Sequence, residues 1–149
     1  MLNTPDVDAF EGNMVPGAPM DDAPVQLNGQ DAWLLDQVGK GFQLMLFVDA
    51  APAPDVLAQL ATCRSAPLRA NEQPVQVTPL IVTSSPLNIP GMTVVVDNQG
   101  LVAKRYDAKP GTTYLLRPDQ HVLARWRNLD STQLQAAMAR ALGQVGEHA

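Results

Sequence analysis

The sequence predicts an α/β domain: a mixed central sheet with helices on both faces and a C-terminal β-hairpin feeding a last helix. Three observations carry that expectation. Phe42 to Val48 is an almost unbroken apolar run of strand length, the pattern of a central strand covered on both faces. Thr113 to Leu116 and His121 to Arg127 bracket Pro118-Asp119, so β-branched and aromatic residues flank a turn. Asp130 with Gln133 three residues on has capping-box spacing. It precedes an apolar stripe of Leu134, Met138, Ala141 and Leu142, which Gly143 ends.

Residues 1–24 are rich in Pro, Asp, Gly and Met and hold no sustained period. They read as an extended linker, or an arm draped over a neighbour, ahead of a domain over 25–149. Val25 to Leu27 reads as a short strand closed by the turn pair Asn28-Gly29. Asp31 can cap a short helix through Val38, with Gly39 where a left-handed C-terminal residue is wanted. Beyond the central strand, Pro54 and Asp55 suit the first turn of a helix with Val56, Leu57, Leu60 and Ala61 on one side. Val75 to Thr83 is strand-like, but Pro79 has no N–H and is expected to interrupt the ladder. Met92 to Val96 gives another short strand, Asp97 to Gly100 a turn, and Leu101 to Tyr106 one or two helical turns. Strand, helix, strand, helix, strand, short helix, hairpin and helix in that order best match a thioredoxin-like fold.

At 149 residues the chain fits one domain. Its net charge of −5 argues against nucleic acid as a partner, which needs clustered Lys and Arg. Arg105, Arg117, Arg125 and Arg127 do gather around the hairpin, as an anion contact or, more plainly, a solvated strand face. No run approaches the roughly 20 apolar residues of a membrane span, so no membrane partner is expected. The acidic N-terminus lacks the basic leader and apolar core of a secretory signal. Cys63 is the only cysteine and cannot form an internal disulfide, so a reducing cytoplasm is the expected location.

Dithiol chemistry needs cysteines at a helix N-terminus, where the helix dipole lowers a thiol pKa. The segment after the central strand, Asp49-Ala50-Ala51-Pro52-Ala53-Pro54, holds none. Cys63 falls near the other end of the following helix, where the dipole disfavours a thiolate, and reads as a small packing residue. His121 beside Asp119 is a candidate acid, base or ligand. One residue between them on a tight turn aligns neither for a triad, and a hydrogen bond fixing the corner is the plainer role. His148 lies in the tail, and no His or Cys cluster has metal-ligand spacing. Tyr114 and Trp126 can stack a ligand or anchor an interface, as can Trp33. Tyr114, Arg117, His121, Arg125 and Trp126 make up the candidate interface or ligand surface. Thr112, after Pro110-Gly111, takes the place where thioredoxins keep a cis-proline, and Pro110 is itself a candidate cis residue.

The hairpin also carries a resemblance. Tyr114-Leu115-Leu116-Arg117-Pro118-Asp119-Gln120-His121-Val122, followed by Ala124-Arg125-Trp126-Arg127, resembles the C-terminal domain of FAD-dependent aromatic-ring monooxygenases. These are enzymes of the phenol hydroxylase and hydroxyphenylpropionate hydroxylase type. Gly39-Lys40-Gly41-Phe42 is similar to that family's entry to its central strand. Gly17-Ala18-Pro19 with Ala23-Pro24-Val25 is similar to its lead-in from the flavin-binding portion, which would start this chain at a domain boundary. The likeness runs from about Gly17 to Leu142 and is loose between Leu57 and Pro90.

The resemblance implies a thioredoxin-like domain without redox activity, excised from or encoded apart from a flavoprotein hydroxylase. Its role would be structural and dimer-supporting, with a second copy or a flavin-binding portion as partner. The parent reaction it implies is NAD(P)H- and O2-dependent hydroxylation of a phenolic compound. A flavin site needs a GxGxxG turn between strand and helix, whereas Gly39-Lys40-Gly41 lacks the third glycine and precedes a strand. FAD and NAD(P)H are therefore expected only in full-length relatives, and the family's catalytic residues carry over to no position here. Two other readings stay open: a homodimeric interaction module taking a small aromatic or carboxylate ligand near Arg125 and Trp126, and a residual redox enzyme using Cys63.

Overall fold

The computed structural model describes residues 3–65, 68–70 and 73–142, and the side chains of 3–61 and 76–142. In chain order the elements are β1 (Pro24–Leu27), β2 (Gln30–Trp33), a 3-10 turn (Leu34–Gln37), β3 (Phe42–Val48), α1 (Pro54–Ser65), β4 (Leu68–Ala70) and β5 (Gln73–Val75). They continue with β6 (Val77–Thr83), β7 (Thr93–Val96), α2 (Leu101–Arg105), β8 (Thr113–Leu116), β9 (Val122–Trp126) and α3 (Ser131–Ala141). Seven strands form one sheet in the order β2-β1-β7-β6-β3-β8-β9, and β4 and β5 pair as a separate ribbon. β3, β6 and β7 run parallel, while β1, β2, β8 and β9 join antiparallel.

β3 is central because both its faces are apolar. Leu44 and Leu46 pack with Leu60 of α1 and with Leu134 and Met138 of α3. Met45 and Phe47 face the other way, onto Tyr106 and onto Met14 and Met20 from the N-terminal segment. The continuous run in the sequence thus serves two cores at a strand's period of two.

The structure corrects two expectations. Residues 31–38 do not form a helix: Asn28 (φ 53°) and Gly29 (φ 78°) make a two-residue turn that pairs β1 with β2, setting Gln26 opposite Asp31. Only Leu34–Gln37 coils, as a single 3-10 turn. Pro79 does not interrupt β6 either. It sits opposite Leu44 in the parallel β3–β6 ladder, and pairing with β7 begins only at Leu80. One side of the strand is therefore unpaired with β7 at Pro79, so an N–H can be missing there.

Other expectations hold. α1 starts at Pro54 and buries Leu60, and Gly39 takes the left-handed conformation, at φ 110°. Asp130 caps α3, its carboxylate accepting from the Thr132 and Gln133 amides at 2.9 and 3.1 Å. Gly143 and His148, and the side chain of Cys63, lie outside the described residues. Replacing the α3 cap by Asp130→Ala is expected to cost about 1 kcal/mol, read as a lower urea midpoint with unchanged slope.

Candidate functional site

Two places among the described residues bear on the candidate site. The first is a cleft of about 360 Å³ at the C-terminal end of β3, lined by Asp49 to Pro52, Asp55, Gln59, Pro110, Gly111 and Asn128. β3 delivers the chain into the start of α1, and the loop after α2 is tied to β3 by Gly111 N–H donating to the Phe47 carbonyl at 2.8 Å. Gly111 has φ 96°, and a Cβ there would stand 3.0 Å from the Arg127 carbonyl, so the loop lies close against the end of the hairpin. Thr112 is fully buried beside it, and all peptide bonds among the described residues, that of Pro110 included, are trans. The cleft offers carboxylates, amides and a helix start, but no thiol. Among the described residues no group of three His, Cys, Asp or Glu is placed to hold a metal.

The second place is the hairpin. Arg117 and His121 meet at its turn, both partly exposed. Arg117 pairs with Asp119, and His121 Nδ1 lies 3.0 Å from the Asp119 carbonyl oxygen, which fixes the corner. Tyr114, Arg125 and Trp126 are elsewhere: each is almost wholly buried, Arg125 at 3% exposure. The expected five-residue surface is thus split, and a ligand near Arg125 and Trp126 has no open face to reach. Trp126 packs under α3 with Leu123, while Arg125 points to the opposite face, above Tyr114. Trp33, in contrast, is half exposed on β2.

What covers Arg125 is the N-terminal segment, which folds back on its own domain. Its outer leg runs alongside β9 in one register. The Thr4 amide donates to the Leu123 carbonyl, Asp6 takes the Arg125 guanidinium through Nε at 3.0 Å and Nη2 at 2.8 Å, and Asp8 accepts from the Arg127 amide at 2.9 Å. Partners therefore advance together, two residues at a time. Phe10 then lies between the two guanidinium groups, 4.4 Å from Arg125 and 3.8 Å from Arg127, and meets the Tyr114 ring edge-on. The inner leg of the segment returns along the start of β9, with Gly17 N–H donating to the Val122 carbonyl, Val122 N–H to the Ala18 carbonyl and Met20 N–H to the Gln120 carbonyl. Met14, Met20 and Ala23 are buried in the core, which makes this leg part of the domain.

Below this layer the hydrogen bonds continue inward. Tyr114 donates to the Tyr106 carbonyl and Tyr106 to that of Asp21, and burial pushes both phenols up from their ordinary pKa. Arg127 binds Asp107, whose carboxylate also accepts from the Glu11 amide at 2.8 Å. That amide, and then Arg127, hold the Asp107 carboxyl below the usual carboxylate range. Arg117 does the same for Asp119. Sequence reasoning assigned no role to Asp6, Asp8 and Phe10. Their only signal was an acidic-aromatic alternation opposite basic residues more than a hundred positions away.

No protein-family model matches this sequence, and no curated protein does. Solved structures do match. The flavin-dependent monooxygenase PieE, in complex with FAD and substrate, superposes with a TM-score of 0.68 at 22% identity, over 96% of this chain and 24% of that one. Aklavinone-11 hydroxylase, with FAD and aklavinone, gives 0.63 at 22% identity, over 88% of this chain and 22% of that one. A putative thiol:disulfide interchange protein DsbE from Chlorobium tepidum gives 0.57 at 16% identity, over 88% and 100%. The fold is thioredoxin-like. The chain spans about a quarter of the length of the two monooxygenases, and at these identities the likeness is one of fold. Among the described residues no helix is long and apolar enough to cross a membrane.

Two predictions follow from the charge geometry. Arg125→Ala leaves Asp6 unpaired and opens a hole beside Tyr114, so it is expected to cost about 3 kcal/mol in urea denaturation. Arg117→Ala breaks a pair at an exposed turn and should cost under about 1 kcal/mol in the same assay. The second concerns pH. The Asp107 and Asp119 carboxyls titrate lower in the folded chain than in the unfolded one. The stability they supply is full above the unfolded pKa of about 4 and is lost as pH falls through the folded values. Urea midpoints followed down from neutral pH should therefore drop below about pH 4, and less steeply in Asp107→Asn.

Proposed function

We propose that this chain is a non-catalytic thioredoxin-like domain of the kind found in flavoprotein aromatic hydroxylases, with a structural and dimer-supporting role. The parent reaction would be NAD(P)H- and O2-dependent hydroxylation of a phenolic compound, carried out on a flavin-binding portion outside this chain. One observation carries the reading. At the position where a thioredoxin-like fold does its thiol chemistry, between β3 and α1, this chain has Asp49-Ala50-Ala51-Pro52-Ala53-Pro54. The likeness to two flavin-dependent hydroxylases over nearly the whole chain adds support.

Electrostatics at the cleft agree with that role. Asp49 and Asp55 flank the start of α1, so the positive end of the helix dipole meets carboxylates of the chain itself. The Arg125 and Arg127 guanidinium groups are already paired, with Asp6 and Asp107. A cytoplasmic location is part of the same proposal.

The test is association. Mixed with the flavin-binding portion of a phenol-type hydroxylase, the chain is expected to form a complex by light scattering, and alone it should show no flavin absorption band. A strictly monomeric chain that joins no such portion would sink the proposal. Insulin reduction or peroxide consumption that vanishes in Cys63→Ala would instead establish the redox reading.

A further inference from the structure

We infer that the outer leg of the N-terminal segment, residues 3–11, is an exchangeable strap. On this reading the Arg125–Arg127 face of β9 is a docking site for an acidic strand of pattern Asp-x-Asp-x-Phe, and the strap of a second copy of this chain fills it when the first is lifted. The inference does not depend on whether the domain serves a flavoprotein.

The strap carries its own recognition. Asp6 is read by the Arg125 guanidinium, Asp8 by the Arg127 amide, and Phe10 by both arginines and the Tyr114 edge. All three lie in one short segment, and every partner lies on β8, on β9 or at Arg127 just after it. Nothing in this recognition requires strap and site to share a chain.

The strap can also leave without unfolding the core. It places no apolar side chain wholly inside the core: Val7 is 65% exposed and Phe10 packs partly buried at the core's margin, whereas the inner leg is anchored by Met14 and Met20. Gly12 at φ 85° and Gly17 at φ 96° bracket the bend between the legs, so the chain has hinge residues at the required place.

A vacated site is unfavourable to leave open. β9 is the terminal strand of the sheet, and lifting the strap frees the Leu123 carbonyl and the Arg127 amide along its edge. It also strips Arg125 of its carboxylate while Tyr114 remains beside it. An identical strap from a second copy restores every one of these bonds, which is the condition for exchange between protomers.

Mixed variants of the full chain test this. One carries Asp6→Ala with Phe10→Ala, so its site is open and its strap disabled. The other carries Arg125→Met with Arg127→Ala, so its strap is intact and its site disabled. The expected result is a one-to-one complex in the mixture and none with either chain alone, by light scattering after size exclusion. A peptide of residues 3–12 should disperse it, and the peptide with Asp6→Asn and Phe10→Ala should need roughly 30-fold more or higher. Two folded chains that form no complex overturn the proposal. So does a complex that the peptide leaves intact, which would place association on another surface and leave dimer support standing by that route. If either variant fails to fold, amide exchange in the unaltered chain decides. Exchange of the Thr4, Glu11 and Arg127 amides faster than those of β3 supports a strap that opens alone, and equal rates overturn it.

Discussion

The structure turns on one buried charge. Arg125 sits on the last strand of the sheet, almost without solvent, and a guanidinium cannot be left there unpaired. Asp6 supplies the pairing, and by doing so it fixes the path of everything around it. The outer leg must run beside β9, which covers the sheet's terminal edge. Phe10 must lie over Tyr114, and Arg127 is drawn onto Asp107 across the end of the loop that borders the cleft. Remove the charge and the inner leg would still be held by Met14, Met20 and Ala23, but the outer leg would lose the ion pair that ties it to β9.

That long-range pairing is also what sequence reading missed. Elements set by local chemistry were legible. The Phe42–Val48 run, the Asn28-Gly29 turn, the Pro54 helix start and the Asp130 cap each depend on residues within a few positions. Where reading failed, the pairing of strands had decided. Asp31 has the chemistry of a helix cap, yet it is drawn into a hairpin by Gln26 across the turn. Pro79 has the chemistry of a strand breaker, yet its place in the sheet leaves the relevant side unpaired with β7. Pattern gives the type of residue a position can hold; the sheet order then settles whether the position asks for it.

The candidate surface failed for a related reason. Alternation from His121 to Arg127 reads as a half-solvated strand, with arginines outward and apolar residues inward. In the folded chain both faces of β9 are covered, by α3 on one side and by the arm on the other. Arg125 is outward-facing with respect to the sheet and still buried. The segment read as a linker, or as an arm draped over a neighbour, lies along β9 by carboxylate and edge contacts. Arg117 and His121, whose partner Asp119 lies within the same turn, stay partly exposed at the corner of the hairpin.

The cleft and the hairpin are mechanically joined. Arg127 donates to the Asp107 carbonyl and to Thr112, while the Gly111 that follows Pro110 lies against the Arg127 carbonyl. The loop that borders the cleft is therefore held by the same residue that holds Phe10 of the arm. It is braced from the hairpin side, and the mouth carries two carboxylates that would raise, rather than lower, the pKa of any thiol introduced there. The loop, the hairpin and the arm are thus held together through Arg127.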